Sequence, residues 1–157
     1  MIIEDGKFYF IKNDFFTLFE EYGLMKNKEN GNRRPCYFCF NDSDNPEIIW
    51  FVPISSKVEK YKKLYDDKKK RYKKVYNFVF GKVLGKERVF LIQNMFPTKI
   101  EYIENKYQVK TKDVEIAPPL KKEVIKLAED VIALTKKGIK SSFYDIIEMK
   151  NRLLNIW

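Results

Sequence analysis

The chain has 157 residues, of which 45% are hydrophobic and 16% aromatic, so it is long enough to bury a core and too apolar for a disordered protein. Its 31 Lys and Arg residues exceed its 22 Asp and Glu residues, for a net charge of +9, which predicts an acidic partner, with nucleic acid first and an anionic membrane surface second. There is no histidine, so acid–base chemistry would need Lys, Tyr, Asp or Glu, and Lys or Arg could act by charge stabilisation alone.

The N-terminal residues and the apolar runs argue against secretion and membrane insertion. Glu4 and Asp5 lie where a signal peptide is basic, and no apolar run approaches the roughly 20 residues that a membrane span requires. We therefore expect a cytoplasmic protein with no membrane partner.

The two cysteines, Cys36 and Cys39, lie within a hydrophobic run. With no other cysteine and no histidine, the usual ligands of a zinc site cannot be assembled. A redox CxxC usually opens a helix, whereas this one lies in a predicted strand, so a structural role is favoured. We expect no metal ion and no other cofactor.

The first third of the chain predicts a strand, a helix and a β-hairpin. Aromatic and β-branched residues favour strands, and Asn, Asp, Ser and Pro cluster where turns are needed. The predicted elements are a strand at 7–11, a helix capped by Asn13 or Asp14 and reaching Tyr22, a loop at 23–34, and strands at 36–40 and 48–52 joined by turn residues at 41–46.

A strongly basic helix is predicted at residues 57–74, where ten of the eighteen residues are basic and three are acidic. A solvated amphipathic helix would explain this pattern, and so would a helix whose charged face lies along a phosphate backbone. The density of lysine favours the second interpretation. Apolar residues recur at helical spacing and predict a packing face: Val58, Tyr61, Tyr65, Tyr72 and Tyr76.

The remaining chain predicts a second hairpin and two helices. Strands are expected at 77–80 and 88–92 around a turn at 81–85, a further turn at 94–97, and no clear pattern at 99–116. One helix begins at Pro118 and ends at Gly138, and a last helix is capped near Ser142 and Asp145. The prediction is a single α+β domain over residues 1–157, with about five strands and a C-terminal helical hairpin.

The candidate chemistry lies where the apolar strand at 48–52 gives way to the basic helix. Ser56 and Glu59 have the spacing of a capping box, which would give them a purely structural role. Alternatively, Ser55 and Ser56 donate hydrogen bonds to a phosphate, and Lys57 or Lys60 supplies the cation.

An RNA phosphate at this position would allow a specific reaction. The 2′-hydroxyl attacks the adjacent phosphorus, and hydroxyl donors and cations stabilise the doubly charged, pentacoordinate transition state. Lys57 could also protonate the leaving 5′ oxygen. Arg33 and Arg34 could reach the same phosphate, or they could be a solvated pair in a loop.

Three short motifs together resemble the type III toxin–antitoxin endoribonucleases, the family that includes ToxN, AbiQ, TenpN and CptN. The motifs are Pro53-Ile-Ser-Ser-Lys57 after an apolar strand, Arg34-Pro35 before the preceding strand, and Asn94-Met-Phe-Pro97. The order of elements, the opening Lys7-Phe-Tyr9 and the basic helix look most like the CptN branch. The similarity covers nearly the whole chain.

The resemblance implies an SH3-like antiparallel β-barrel related to the MazF and Kid toxins and elaborated with helices. It further implies metal-independent RNA cleavage that leaves 2′,3′-cyclic phosphate and 5′-hydroxyl ends. The inhibitor would be a repeated, pseudoknotted antitoxin RNA that the toxin itself processes, within a closed assembly of protein and RNA. Ser55 and Ser56 match the hydroxyl pair of the family, and Lys57 matches its lysine.

The chain departs from the family pattern in three places. Lys57 follows Ser56 directly, whereas one residue intervenes in ToxN, so Lys60 is an alternative cation. Phe15 replaces a tyrosine, and Cys36 replaces a lysine, so Arg33 or Arg34 would have to supply that charge.

The sequence therefore predicts a sequence-selective endoribonuclease toxin, which acts on cellular or phage RNA in abortive infection. The alternative is a noncatalytic RNA-binding module that uses the basic helix 57–74, with Ser56 only as a cap; a DNA-binding or membrane-surface protein is a third possibility. The predicted catalytic residues are Ser55, Ser56 and Lys57, and the predicted RNA-binding residues are Arg33, Arg34, Lys60, Lys62, Lys63, Lys69, Lys70, Arg71 and Lys73.

Overall fold

The fold is built on one antiparallel sheet of seven strands, seen in a computed structural model that describes residues 2–24 and 35–155. The strands of the sheet are β1 (Phe8–Ile11), β2 (Tyr37–Asn41), β3 (Ile48–Ser55), β4 (Phe78–Val83), β5 (Lys86–Leu91), β6 (Phe96–Lys99) and β7 (Ile103–Lys106). Two short strands, β8 (Gln108–Val109) and β9 (Lys112–Asp113), pair separately. The helices are α1 (Asn13–Leu18), α2 (Val58–Arg71), α3 (Pro118–Lys136) and α4 (Ile146–Leu154).

The longest strand, β3, holds the sheet together. It pairs with β2 along one edge, while β6 and then β5 pair with successive parts of its other edge. The hydrogen-bonded order is β4-β5-β3-β2-β1-β7, with β6 beside the first half of β3.

The predicted α+β class is confirmed, but the strands do not close into a barrel. Closure requires the two edge strands to pair with each other. Within the described residues, β4 and β7 instead end the ladder at opposite edges. The helices α3 and α4 contact each other, and α4 packs on β3 and β6, as expected for a C-terminal helical hairpin.

The predicted hairpin of β2 and β3 is present, with Tyr37 opposite Pro53 and Asn41 opposite Ile49. However, β3 continues to Ser55, beyond the predicted end at residue 52. The second hairpin is also present, but its turn is at Leu84-Gly85, which have φ values of 52° and 76°. Gly81 lies inside β4, where a Cβ would come within 2.3 Å of a Leu120 methyl carbon. Gly81 is thus a close-approach residue rather than a turn residue.

The sequence underestimated the number of strands because β6 and β7 lie in stretches without clear periodicity. The predicted turn at 94–97 includes the first residues of β6, in which Pro97 lies opposite Trp50. Proline is tolerated because β6 pairs with no strand of residues 2–24 and 35–155 except β3, and an edge strand does not need every N–H group.

The termini of the helices follow the predictions only in part. α1 begins at Asn13 itself, and no side chain of the described residues caps it, so the predicted cap at Asn13 or Asp14 is wrong. α3 begins at Pro118 and ends as predicted before Gly138, which has a φ of 84°. The cap of α4 is Asp145, whose side chain accepts a hydrogen bond from the Glu148 N–H at 3.1 Å.

Two apolar clusters stabilise these elements. The larger one is rich in fully buried aromatic side chains, including Trp50, Phe15 and Phe38. The smaller one consists of Phe78, Val89 and Leu91 under α2, so α2 is fixed on the β4–β5 hairpin rather than on the centre of the sheet.

Candidate nucleic-acid interface

The chain turns sharply between β3 and α2, at the predicted catalytic residues. Ser55 is the last residue of β3 and lies opposite Val89 of β5. Its Oγ accepts a hydrogen bond from the Lys57 backbone N–H at 3.1 Å, and the Val58 N–H donates to the Ser56 carbonyl at 2.9 Å. The Ser55 hydroxyl therefore fixes the turn while its own proton is still available to an acceptor.

The predicted capping box does not form. The N-cap of α2 is Lys57, so Glu59 is the second helical residue, whereas a capping box requires the acid at the third. Among the described residues, no side chain caps this helix start. Because Lys57 is the N-cap, Ser56 does not have the capping role that the alternative interpretation gave it. Ser56, Lys57 and Glu59 are all exposed.

This helix start presents several groups suited to an anion. The Ser56 hydroxyl and the Lys57 side chain are exposed beside a first turn whose N–H groups no described side chain occupies. The N-terminal end of a helix also carries partial positive charge. These groups together could donate hydrogen bonds and charge to one phosphate.

Aromatic contacts pack α2 on the β4–β5 hairpin. The ring centroids of Tyr61 and Phe78 are 5.1 Å apart, and those of Tyr65 and Phe80 are 5.7 Å apart. Val58 is buried at the first turn. Because these residues lie on one side of the helix, the opposite side faces solvent.

The predicted RNA-binding residues of α2 lie mainly on its solvent side. Lys60, Lys63 and Arg71 share the face opposite the tyrosines, by the 3.6-residue period of the helix. Lys62 and Lys69 are exceptions. The Lys62 Nζ lies 3.4 Å from Glu87 Oε1 in a half-exposed ion pair, and the Lys69 Nζ donates to the Lys73 carbonyl at 2.7 Å, on the side of the helix that carries Tyr65. The exposed members of the predicted set are Lys60, Lys63, Lys69, Lys70, Arg71 and Lys73.

Arg33 and Arg34 lie outside the described residues. The chain is described again from Pro35, and Tyr37 then pairs opposite Pro53. The start of β2 is therefore beside the end of β3. Phe15, which replaces the tyrosine of the family pattern, is fully buried and stacks on Phe96 with centroids 5.3 Å apart.

Asp42 and Lys150 form a buried ion pair, which the sequence patterns did not indicate and which contacts β3 through Trp50. Asp42 accepts hydrogen bonds from Lys150 Nζ at 3.0 Å, Trp50 Nε1 at 2.7 Å and the Asn45 N–H at 2.9 Å. Burial by itself would raise the pKa of Asp42, but these hydrogen bonds outweigh it and lower that pKa. The turn-rich run at 41–46 indicated a role for Asp42 in the turn, but nothing local indicated Lys150.

The structure also reveals a groove at the C-terminal end of α2, with a volume of ≈ 560 Å³. Sequence periodicity predicted Tyr72 on the packing face of α2, and a cap at Ser142 would have placed Phe143 in the last helix. However, α2 ends at Arg71 and Tyr72 has an extended backbone, while α4 begins at Ile146, after Phe143. Both rings line the groove and are exposed. In the sequence, the four basic residues around Tyr72 indicate a nucleic-acid contact at this tyrosine. No comparable pattern surrounds Phe143.

Cys36 lies just before β2, and Cys39 lies within it. Cys39 is buried in β2, where its Sγ donates to the Glu4 carbonyl at 3.3 Å and burial raises the pKa of its thiol. Cys36 is half-buried. In the described part of the chain, no three His, Cys, Asp or Glu side chains converge to form a metal site, and no helix is both long and apolar enough to cross a membrane.

No protein-family model matches this sequence, and no curated protein matches it either. A functional assignment therefore rests on the residues and geometry of the β3–α2 turn and of the basic surface of α2.

Proposed function

We propose that this protein is a metal-independent endoribonuclease toxin of the type III toxin–antitoxin class. The observation that supports this function most is the turn between β3 and α2. There, two serine hydroxyls, the Lys57 side chain and an uncapped helix start meet at the head of a basic helix. A pentacoordinate phosphate would accept hydrogen bonds and charge from all of these groups.

In the proposed reaction, the ribose 2′-hydroxyl forms a bond to the adjacent phosphorus, and the bond to the 5′ oxygen breaks. Ser56 and the first-turn N–H groups that follow Val58 donate to the non-bridging oxygens, on which negative charge increases. Lys57 offsets this charge and protonates the leaving 5′ oxygen, while the proton of the 2′-hydroxyl passes to water. The products are a 2′,3′-cyclic phosphate and a 5′-hydroxyl.

Ser55 has a supporting role in this proposal. Its Oγ orients the Lys57 backbone, and its hydroxyl proton can reach a phosphate oxygen. Lys60 is one helical turn away, with its Nζ 5.2 Å from the Tyr61 ring centroid, and it remains the alternative cation.

The proposed partners are RNA molecules. A repeated, pseudoknotted antitoxin RNA would bind and inhibit the toxin in a closed assembly and would be cut by it, and cellular or phage RNA would be the target in the cytoplasm. The exposed cations of α2, with Arg33 and Arg34, would contact both RNAs by charge. We also relate the sheet to the SH3-like fold of MazF and Kid, although it is open between β4 and β7.

The proposal is tested by expressing the wild type, Ser56→Ala and Lys57→Ala without DNA upstream of the reading frame. We expect the wild type to arrest growth and to cut RNA in excess EDTA, leaving cyclic-phosphate ends. Each substitution should slow cleavage about 100-fold, since each removes one group that stabilises the transition state.

Ser43→Ala and Lys122→Ala are matched controls, because both residues are exposed and lie outside the β3–α2 turn. They should cleave like the wild type. Equal growth of all strains with uncut RNA would contradict the proposal and would favour a noncatalytic RNA-binding module. That alternative is supported by the cations of α2, which extend over many more residues than one phosphate can contact.

A further inference from the structure

Exposed apolar side chains line the groove at the C-terminal end of α2. Tyr72 and Phe143 are 60% and 63% exposed, and among the described residues they are the aromatic side chains most open to solvent. Ile139, which is also exposed, lines the same groove. Apolar rings gathered on one exposed surface usually indicate a binding site.

The charge of this groove suits an anionic polymer. Lys68, Lys74 and Lys140 line it, and neither Asp nor Glu does so among the described residues. Lys74 is engaged, because its Nζ lies 3.2 Å from Asp130 Oδ2. Lys68 and Lys140 are therefore the cations suited to contact a phosphate group.

The side-chain amides of the half-buried Asn77 and the buried Gln93 also line the groove. Asn77 Nδ2 donates to Gln93 Oε1 at 3.2 Å. This bond leaves the Gln93 NH₂ group as a donor and the Asn77 carbonyl as an acceptor. A donor beside an acceptor matches the edge of an unpaired base.

A single strand of RNA can reach both ends of α2. Lys57 and Tyr72 are the two caps of this helix of 14 residues, which spans about 21 Å, or about six nucleotides at a stacked spacing of about 3.4 Å. Exposed cations, including Lys63 and Lys70, lie along the helix between them.

We propose that this groove binds one unpaired nucleotide of a single-stranded RNA, with its base against Tyr72 and Phe143 and its phosphate near Lys68 and Lys140. This subsite lies about six nucleotides from the phosphate bound at Ser56 and Lys57. The choice of RNA as the bound polymer rests on the proposed function. Aromatic rings beside cations bind unpaired bases without strong sequence preference.

The test uses a fluorescently labelled twelve-nucleotide single strand of 2′-O-methyl RNA, which lacks the attacking hydroxyl and cannot be cut. We expect the double variant Tyr72→Ala/Phe143→Ala to bind it at least tenfold more weakly than the wild type by fluorescence anisotropy, because base stacking is lost. Tyr72→Phe/Phe143→Tyr should restore binding. Ile2→Ala removes an exposed apolar side chain elsewhere and should bind like the wild type.

Equal affinity of the wild type and the double variant would overturn the subsite, and so would a wild type that does not bind the strand. The subsite would also be overturned if the double variant changed self-association in sedimentation and left RNA affinity intact, since the groove would then bind a second copy of the chain. RNA cleavage that is unaffected by loss of the groove would contradict the subsite alone. Groove-dependent binding without any RNA cleavage would contradict the nuclease and support the subsite.

Discussion

Asp42 shows how one residue can position a candidate site from a distance. It accepts hydrogen bonds from Trp50 of β3, from Lys150 of α4 and from the backbone of its own turn. The side chains of Lys150 and Asp42 are only 7% and 5% exposed. A buried charge is tolerated only when it is paired in this way, so we infer that the pair fixes α4 against the hairpin that carries Ser55.

This pair predicts a pH-dependent stability. Because the folded pKa of Asp42 is lowered, its contribution is fully present above its ordinary value of 3.8 and is lost as the pH falls through the lower folded pKa. We expect Asp42→Asn to reduce the free energy of unfolding by about 3 kcal/mol at pH 7. Below about pH 4, the free energy of unfolding should decrease less steeply with falling pH in this variant than in the wild type.

Urea unfolding at several pH values measures both effects. The control is Asp44→Asn, which removes a neighbouring carboxylate from an exposed ion pair with Lys136 and should change stability by less than about 1 kcal/mol. An Asp42→Asn protein as stable as the wild type would show that the buried pair contributes nothing.

Among the elements, the C-terminus of α3 is specified by a local rule. The Ile139 N–H donates to the Leu134 carbonyl, and the Gly138 N–H donates to the Thr135 carbonyl, both at 3.0 Å. These are the two bonds of a Schellman motif, which requires a left-handed residue at Gly138. The motif also directs Ile139 into the groove beside Phe143.

We therefore expect Gly138→Ala to lower the free energy of unfolding by about 1 kcal/mol. A Cβ at this position would meet no atom within 4 Å, so the whole cost would come from the backbone φ of 84°. The preceding residue, Lys137, has a φ of −85°, so Lys137→Ala is the matched control and should leave the free energy of unfolding nearly unchanged in urea. Equal stability of the two variants would contradict this explanation.

For the molecule as a whole, the net charge of +9 should govern RNA binding. Each phosphate that a cation neutralises releases counterions, so affinity falls with salt in proportion to the number of contacts. The exposed face of α2 that carries Lys60, Lys63 and Arg71 is the surface where we expect most of these contacts.

Replacing Lys60, Lys63 and Arg71 with Gln should reduce the slope of log affinity against log salt by about 2, at about 0.7 per phosphate of a single strand. The slope is measured by anisotropy with the uncleavable strand at several salt concentrations. Gln at Lys110, Lys122 and Lys137, which are exposed and lie outside α2, removes the same charge elsewhere. Equal slopes for both triple variants would mean that RNA does not follow α2.

The sequence by itself determined the features that depend on neighbouring residues. The β2–β3 hairpin follows from turn residues between two apolar runs, and the limits of α3 follow from Pro118 and Gly138. It also predicted that a strand ends and a basic helix begins near Ser55, because the apolar pattern changes there. These signals act within a few residues, so no partner distant in the chain is needed to read them.

Only the tertiary structure decided the features that join distant parts of the chain. Packing of Tyr61 and Tyr65 on the β4–β5 hairpin accompanies a helix start at Lys57, in place of the cap predicted at Ser56. Asp42 pairs with Lys150 across 108 positions of sequence, and Tyr72 and Phe143 line one groove. Such pairings depend on how whole elements pack, for which periodicity and turn chemistry hold no information.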